Sequence, residues 1–124
     1  MDIGKIKDNY IFYEGYEGEP EIIISLSNKI AIHIWDGYFE DILNSPPLDG
    51  KGWGGFTRDY HQLEGIFSEN ISEQFIEPQE YLNDLYIYKN KQFEYEETKQ
   101  LFNILVELFK EALLKKLRVK IELR

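Results

Sequence analysis

The most regular signal along the chain is alternation. In EIIISL, residues 21–26, Ile22, Ile24 and Leu26 fall on one face. In IAIHIW, residues 30–35, Ile30, Ile32 and Ile34 repeat the pattern after a short break at SNK. A period of two marks strands, and two such runs joined by a short turn predict a β-hairpin. Asn28 suits the left-handed backbone of that turn. Ile23, Ala31 and Trp35 leave the second face fairly apolar, which predicts a sheet covered on both sides. YIFY, residues 10–13, predicts an earlier strand, and LRVKIEL near the end predicts a last one.

Elsewhere the apolar positions recur at helical spacing. Tyr38, Phe39, Ile42 and Leu43 follow Asp36, expected as an N-cap, and precede Pro46 and Pro47, which stop a helix. Tyr60, Leu63 and Phe67 fit a helix that Gly65 keeps short. Pro78 suits the first turn of a helix over EPQEYLNDLYIY, although Ile87 and Tyr88 read equally as the start of a strand. The clearest element is EETKQLFNILVELFKEALLKK. Leu101, Leu105, Leu108 and Ala112 form one stripe, and Phe102, Val106, Phe109 and Leu113 the next. So broad an apolar face predicts a helix lying across a sheet. Glu94, Glu96 and Glu97 at its start and Lys110, Lys115 and Lys116 at its end complement the helix dipole. The order predicts one α+β domain over residues 1–124: a largely antiparallel sheet, a long C-terminal helix packed on it, shorter helices, and a closing strand.

Composition agrees with a folded domain, at 43% hydrophobic and 15% aromatic residues. Without cysteine there is no disulfide framework and no thiolate metal site. MDIGKIKDNY has no apolar signal core, and no apolar run reaches the ~20 residues of a membrane helix, so the expected location is cytoplasmic.

Charge changes the picture more. The net charge is -9. Residues 59–80 carry six acids and no base, whereas residues 98–124 carry seven bases against three acids. Such a field repels nucleic acid and anionic lipid and attracts basic proteins. The basic tail argues against a uniform nucleic-acid mimic.

Motifs for chemistry are sparse. His33, between Ile32 and Ile34, reads as a structural histidine held by a hydrogen bond, and His61 as a surface histidine. Two histidines without H-x-x-x-H spacing make no metal cluster. DGKGWGG lacks the phosphate-loop and dinucleotide patterns. Lys51 and Trp53 stand where a calcium loop starting at Asp49 needs oxygen ligands.

The remaining oddity is SPPLDGKGWGGFTRDYHQLEG, residues 45–65, which sets Trp53 among glycines. Either Trp53 is a binding anchor ringed by charge, or it folds back to plug the core while the glycines permit a tight path. WDGYFEDI, then GWGGFTRDYHQLEG, then FEYEETKQLFNILVELFKEAL closing on VKIEL, resembles bacterial immunity proteins of polymorphic toxins, in particular those of contact-dependent growth inhibition. The likeness covers roughly residues 35–67 and 80–123 and lies in layout, size and charge. It implies a non-enzymatic, cofactor-free inhibitor that binds a cognate toxin domain, often a nuclease. On that reading Asp59, Glu64, Glu69 and Glu73 pair with toxin lysines and arginines, and Trp53 and Tyr60 supply buried area. Glu14 to Glu21 form a second candidate face. The alternative is a small ligand-binding or enzymatic α+β domain, with a cleft at the glycine-rich loop 50–55 joining Trp53, Asp59 and His61.

Overall fold

A computed structural model describes residues 7–27, 30–44, 46, 53–62, 67 and 73–124. The fold is α+β. Strands β1 (Lys7–Phe12), β2 (Glu21–Leu26) and β3 (Ile30–Trp35) precede helices α1 (Asp36–Leu43) and α2 (Gly55–Gln62). Strand β4 (Glu73–Ile76), helices α3 (Pro78–Tyr86) and α4 (Glu96–Lys115), and strand β5 (Val119–Leu123) complete it. No helix among the described residues is long and apolar enough to cross a membrane.

The strands form one sheet in the order β1-β3-β2-β5-β4. The predicted hairpin is present, with Ile22 opposite Ile34, Ile24 opposite Ile32 and Leu26 opposite Ile30. The expected turn residue Asn28 lies outside the described residues. β5 inserts between β2 and β4, antiparallel to both. β1 pairs with β3 in parallel, so the sheet is mixed.

Register places the alternating apolar rows together. Ile22, Ile24, Leu26, Ile32, Ile34, Val119 and Ile121 share one core with Leu101, Leu105, Phe109 and Ala112 of α4 and Phe39 and Ile42 of α1. Phe56 of α2 stands at the centre, its ring 5.0 Å from Phe39, 4.8 Å from Tyr81 and 5.8 Å from Phe109. The opposite row corrects the expectation of a sheet covered on both sides. There Ile23 faces His33 and Glu122, and Ser25 faces Ala31 and Lys120. Glu21, His33, Lys120 and Glu122 put polar and charged groups on that face. Ile23, Ala31 and His33 are buried there, but the core cluster that joins the sheet to the described helices takes its buried β2, β3 and β5 residues from the other row.

Local chemistry explains the helix ends. Pro78 opens α3 behind Glu77, whose side chain accepts from the Gln79 N–H. Ile87 and Tyr88 do not start a strand; α3 ends in turns there, and Tyr88 is fully buried. Asp36, expected as the cap of α1, lies in its first turn, while Trp35 takes the cap position without a side-chain bond. α4 ends on Lys116, whose left-handed φ of 55° lets its N–H reach the Ala112 carbonyl.

Two long-range contacts hold α1 against the loop before α4. Lys91 Nζ donates to the carbonyls of Asp41, Ile42 and Asn44 at 2.7, 3.0 and 2.6 Å, satisfying the open end of α1. The buried Asp41 carboxylate accepts from the N–H groups of Glu94 and Tyr95 at 3.0 and 3.1 Å. Tyr95 is thereby set beside the start of α1.

Candidate partner-binding surface

Of the residues expected at a partner surface, Asp59 is corrected first. It is 0% exposed. Its Oδ1 receives Nε and a terminal nitrogen of Arg58 at 3.1 and 3.0 Å, and its Oδ2 receives the Tyr81 hydroxyl at 2.5 Å. Arg58 also donates to Glu80 at 2.7 Å. The carboxylate therefore ties α2 to α3 and has no face for a partner. Burial first and the Asp59 contact second push the Tyr81 hydroxyl above its ordinary range, so it remains a donor.

The glycines before α2 serve this junction. Gly55 has φ of 52°, and a Cβ there would sit 2.9 Å from Asp84 Cβ and 3.1 Å from Tyr81 Cα. Only glycine admits this approach of α2 to α3. Beneath it, Asp84 accepts from the N–H and hydroxyl of Thr57 at 2.9 and 3.0 Å, and the Tyr88 hydroxyl bonds Thr57 Oγ1 at 2.5 Å.

Trp53 is half-buried, its ring 5.3 Å from that of His61, and its buried Nε1 has no hydrogen-bond partner among the described residues. His61 in turn bonds the Leu43 carbonyl at 2.7 Å. Asp59 is directed at α3 and His61 at the end of α1, so among the described residues Asp59 does not share a cleft with Trp53 and His61; residues 50–52 of that loop lie outside the described residues. Glu64 and Glu69 lie outside the described residues. Glu73 is exposed on the edge strand β4, 3.8 Å from Lys120. Tyr60 is half-buried, 5.5 Å from the Phe67 ring.

Tyr60 points to a different surface. Its hydroxyl pKa is raised by burial and then by the charges of Glu40 and Asp36, which belong to α1. Those acids border an aromatic cluster at one end of the sheet. Tyr16 stacks on Trp35 with centroids 4.0 Å apart and planes at 4°. Tyr38 meets Trp35 edge-on at 5.1 Å, and Tyr95 stands 6.0 Å from Trp35 and 5.7 Å from Tyr38. A Cβ at Gly37 would collide with the Trp35 ring, so glycine there lets the indole lie across the start of α1. Tyr38 is buried, Tyr16 and Trp35 are half-buried, and Tyr95 is exposed.

The border of this cluster is anionic. Glu19 accepts from Trp35 Nε1 at 3.4 Å. Burial first, then Glu40 and Glu19, raise the Asp36 pKa. Glu94 first, then burial, raises that of Tyr95. Glu97 adds its charge near Tyr38, whose pKa rises chiefly through burial. Among the described residues, Glu19, Asp36, Glu40, Glu94 and Glu97 make no ion pair. Of the second face expected from the sequence, Glu14 to Glu21, only Glu19 borders this cluster; Glu21 turns to His33, and Glu14 and Glu17 line a pocket with that pair instead. Sequence reasoning missed Trp35 and Tyr38 because each fits an apolar strand or helix pattern equally well, and Tyr95 because it stands outside any periodic segment, at the cap of α4.

The polar sheet face holds one further cluster. His33 lies between two carboxylates, with Nδ1 2.5 Å from Glu21 and Nε2 2.9 Å from Asp8. Tyr10 stacks on its ring at 4.0 Å. The predicted structural histidine has two bonds, which clamp the edge strand β1 to the hairpin.

No protein family, curated protein or solved structure matches the chain. Fold and surface together define an α+β domain with an acidic, aromatic-centred end.

Proposed function

We propose that the protein is an immunity-type inhibitor that binds and neutralises a cognate toxin domain, a nuclease, in the cytoplasm. It would act by covering the toxin's basic active site with an acidic, aromatic surface. One observation carries this reading: the Tyr16, Trp35, Tyr38 and Tyr95 cluster is bordered by five carboxylates that make no ion pair among the described residues.

The physical case runs through desolvation and charge. Tryptophan and tyrosine dominate binding hot spots, each worth about 2 kcal/mol or more when truncated. Carboxylates without internal partners lose no existing ion pair when they meet lysine or arginine. Close interfacial charge pairs couple by about 1.5–7 kcal/mol, and complementary fields raise association rates to about 10⁸–10⁹ M⁻¹s⁻¹. A nuclease cleft must be cationic to hold phosphates, so it is the complementary surface.

The test is direct. The reading frame immediately upstream should encode a basic toxin domain, which the protein binds and whose nuclease activity it abolishes. A variant carrying Glu19→Lys, Asp36→Lys and Glu40→Lys should lose that binding in calorimetry. Absence of binding to that domain, or unchanged affinity in the triple variant, refutes the proposal.

A further inference from the structure

Beside the aromatic cluster lies a pocket of about 370 Å³, lined among the described residues by Pro20, Ile22, Asp36, Tyr60, Phe67 and Leu123 together with Glu21 and Arg124. Its position follows from the topology. β2 begins and β5 ends at this end of the sheet, and the Glu21 and Arg124 backbones bond each other at 3.1 and 2.9 Å. Their side chains turn to the polar face, Glu21 to His33 and Arg124 to Glu122. The remaining walls are Ile22, which is 2% exposed, with Leu123 and the half-buried rings of Tyr60 and Phe67. Asp36 stands exposed at the mouth and makes no ion pair among the described residues. It connects the pocket to the cluster, since Trp35 precedes it and Glu19 and Glu40 act on it.

An apolar floor with an anionic mouth selects its occupant. A cationic head group pushed into the floor would lose its hydration against Ile22, Leu123 and Phe67 and meet no charge there. An apolar side chain gains from the same burial, and its cationic neighbours remain at the mouth, where the carboxylates are. This is the hot-spot arrangement of a buried anchor inside a polar ring. We propose that this pocket seats one apolar side chain of the basic partner, flanked on the partner's chain by lysine or arginine that pair with Asp36, Glu19 and Glu40. The inference rests on reading the acidic aromatic end as the partner surface, and it names the docking element.

Short peptides test it without the toxin. Acetylated, amidated Lys-Leu-Arg, Lys-Ser-Arg and Glu-Leu-Glu are titrated into the full chain, followed by methyl and amide NMR. Lys-Leu-Arg should move the resonances of Ile22, Asp36, Tyr60 and Leu123. Lys-Ser-Arg should bind about tenfold more weakly, the loss expected for one missing apolar side chain. Glu-Leu-Glu should not bind. Leu123→Trp, which fills the pocket and keeps the charge, should abolish the Lys-Leu-Arg response, and Asp36→Asn should weaken it several-fold. Circular dichroism confirms the fold of both variants. Equal affinities for Lys-Leu-Arg and Lys-Ser-Arg, or shifts spread over Glu107 and Glu111 on α4, would overturn the pocket. Full toxin affinity in both variants would overturn it as well and leave the inhibitor reading standing. A normal peptide response with no toxin binding would do the reverse.

Discussion

Replacing Asp84 by asparagine isolates a charge that the fold holds at a cost. Asp84 is 6% exposed, and burial pushes its carboxyl from 3.8 up to about 6, against the opposing effect of two bonds from Thr57. The folded pKa is raised, so the folded state binds the proton more tightly than the unfolded chain. Stability attributable to this group is therefore fully present below about pH 4 and is lost as pH rises through about 6. A gap of about two pKa units corresponds to about 3 kcal/mol. Both Thr57 donors reach the same oxygen, Oδ2, so an asparagine carbonyl can accept both. Its amide N–H₂ needs new partners, at a cost of about 1–3 kcal/mol that does not vary with pH. The prediction is thus a difference of differences. Between pH 4 and pH 7.5, Asp84→Asn should gain about 3 kcal/mol relative to the wild type, with the change centred between pH 4 and 6. Urea unfolding of both proteins across that range measures it, and the titrations of distant groups cancel in the comparison. A stability difference that stays flat with pH would show that Asp84 is not held charged against burial. The result bears on the surface too, because the α2–α3 junction carries Tyr60 to its place beside Asp36.

Two further substitutions probe the same junction. Arg58→Met strands the Asp59 carboxylate, which is 0% exposed, and should destabilise by about 3–5 kcal/mol in chemical denaturation. The double variant Arg58→Met, Asp59→Leu should recover much of that loss; no recovery would mean that Arg58 acts through other contacts. Gly55→Ala adds a Cβ 2.9 Å from Asp84 Cβ at a left-handed φ and should cost about 1–3 kcal/mol, read as a lower thermal midpoint.

The periodic parts of the sequence were legible because their information is local. A period of two in residues 21–35 and a 3.6-residue stripe in α4 depend on which neighbours share a face, so both elements stand where the pattern puts them. β4 was not legible: EQFI is four residues long and half polar, too short for alternation to speak. Asp36 was read as a cap, but the position before it belongs to Trp35, whose ring instead anchors the aromatic cluster.

The candidate surface shows the same division more sharply. Acidity as a property of the whole chain followed from counting residues. Which acids face solvent did not, since that depends on partners far along the chain. Asp59 is withdrawn from the surface by a hydroxyl 22 positions away on α3, whereas Asp36 and Glu40 make no ion pair among the described residues. The sequence by itself determined the hairpin, α4 and the closing strand, the apolar row each offers and the sign of the field. The tertiary structure alone decided the strand order, the polarity of the second sheet face and the meeting of Tyr16, Trp35, Tyr38 and Tyr95. Strand pairing and ring contacts join residues distant in sequence, and their free energy leaves no periodic trace in any one segment.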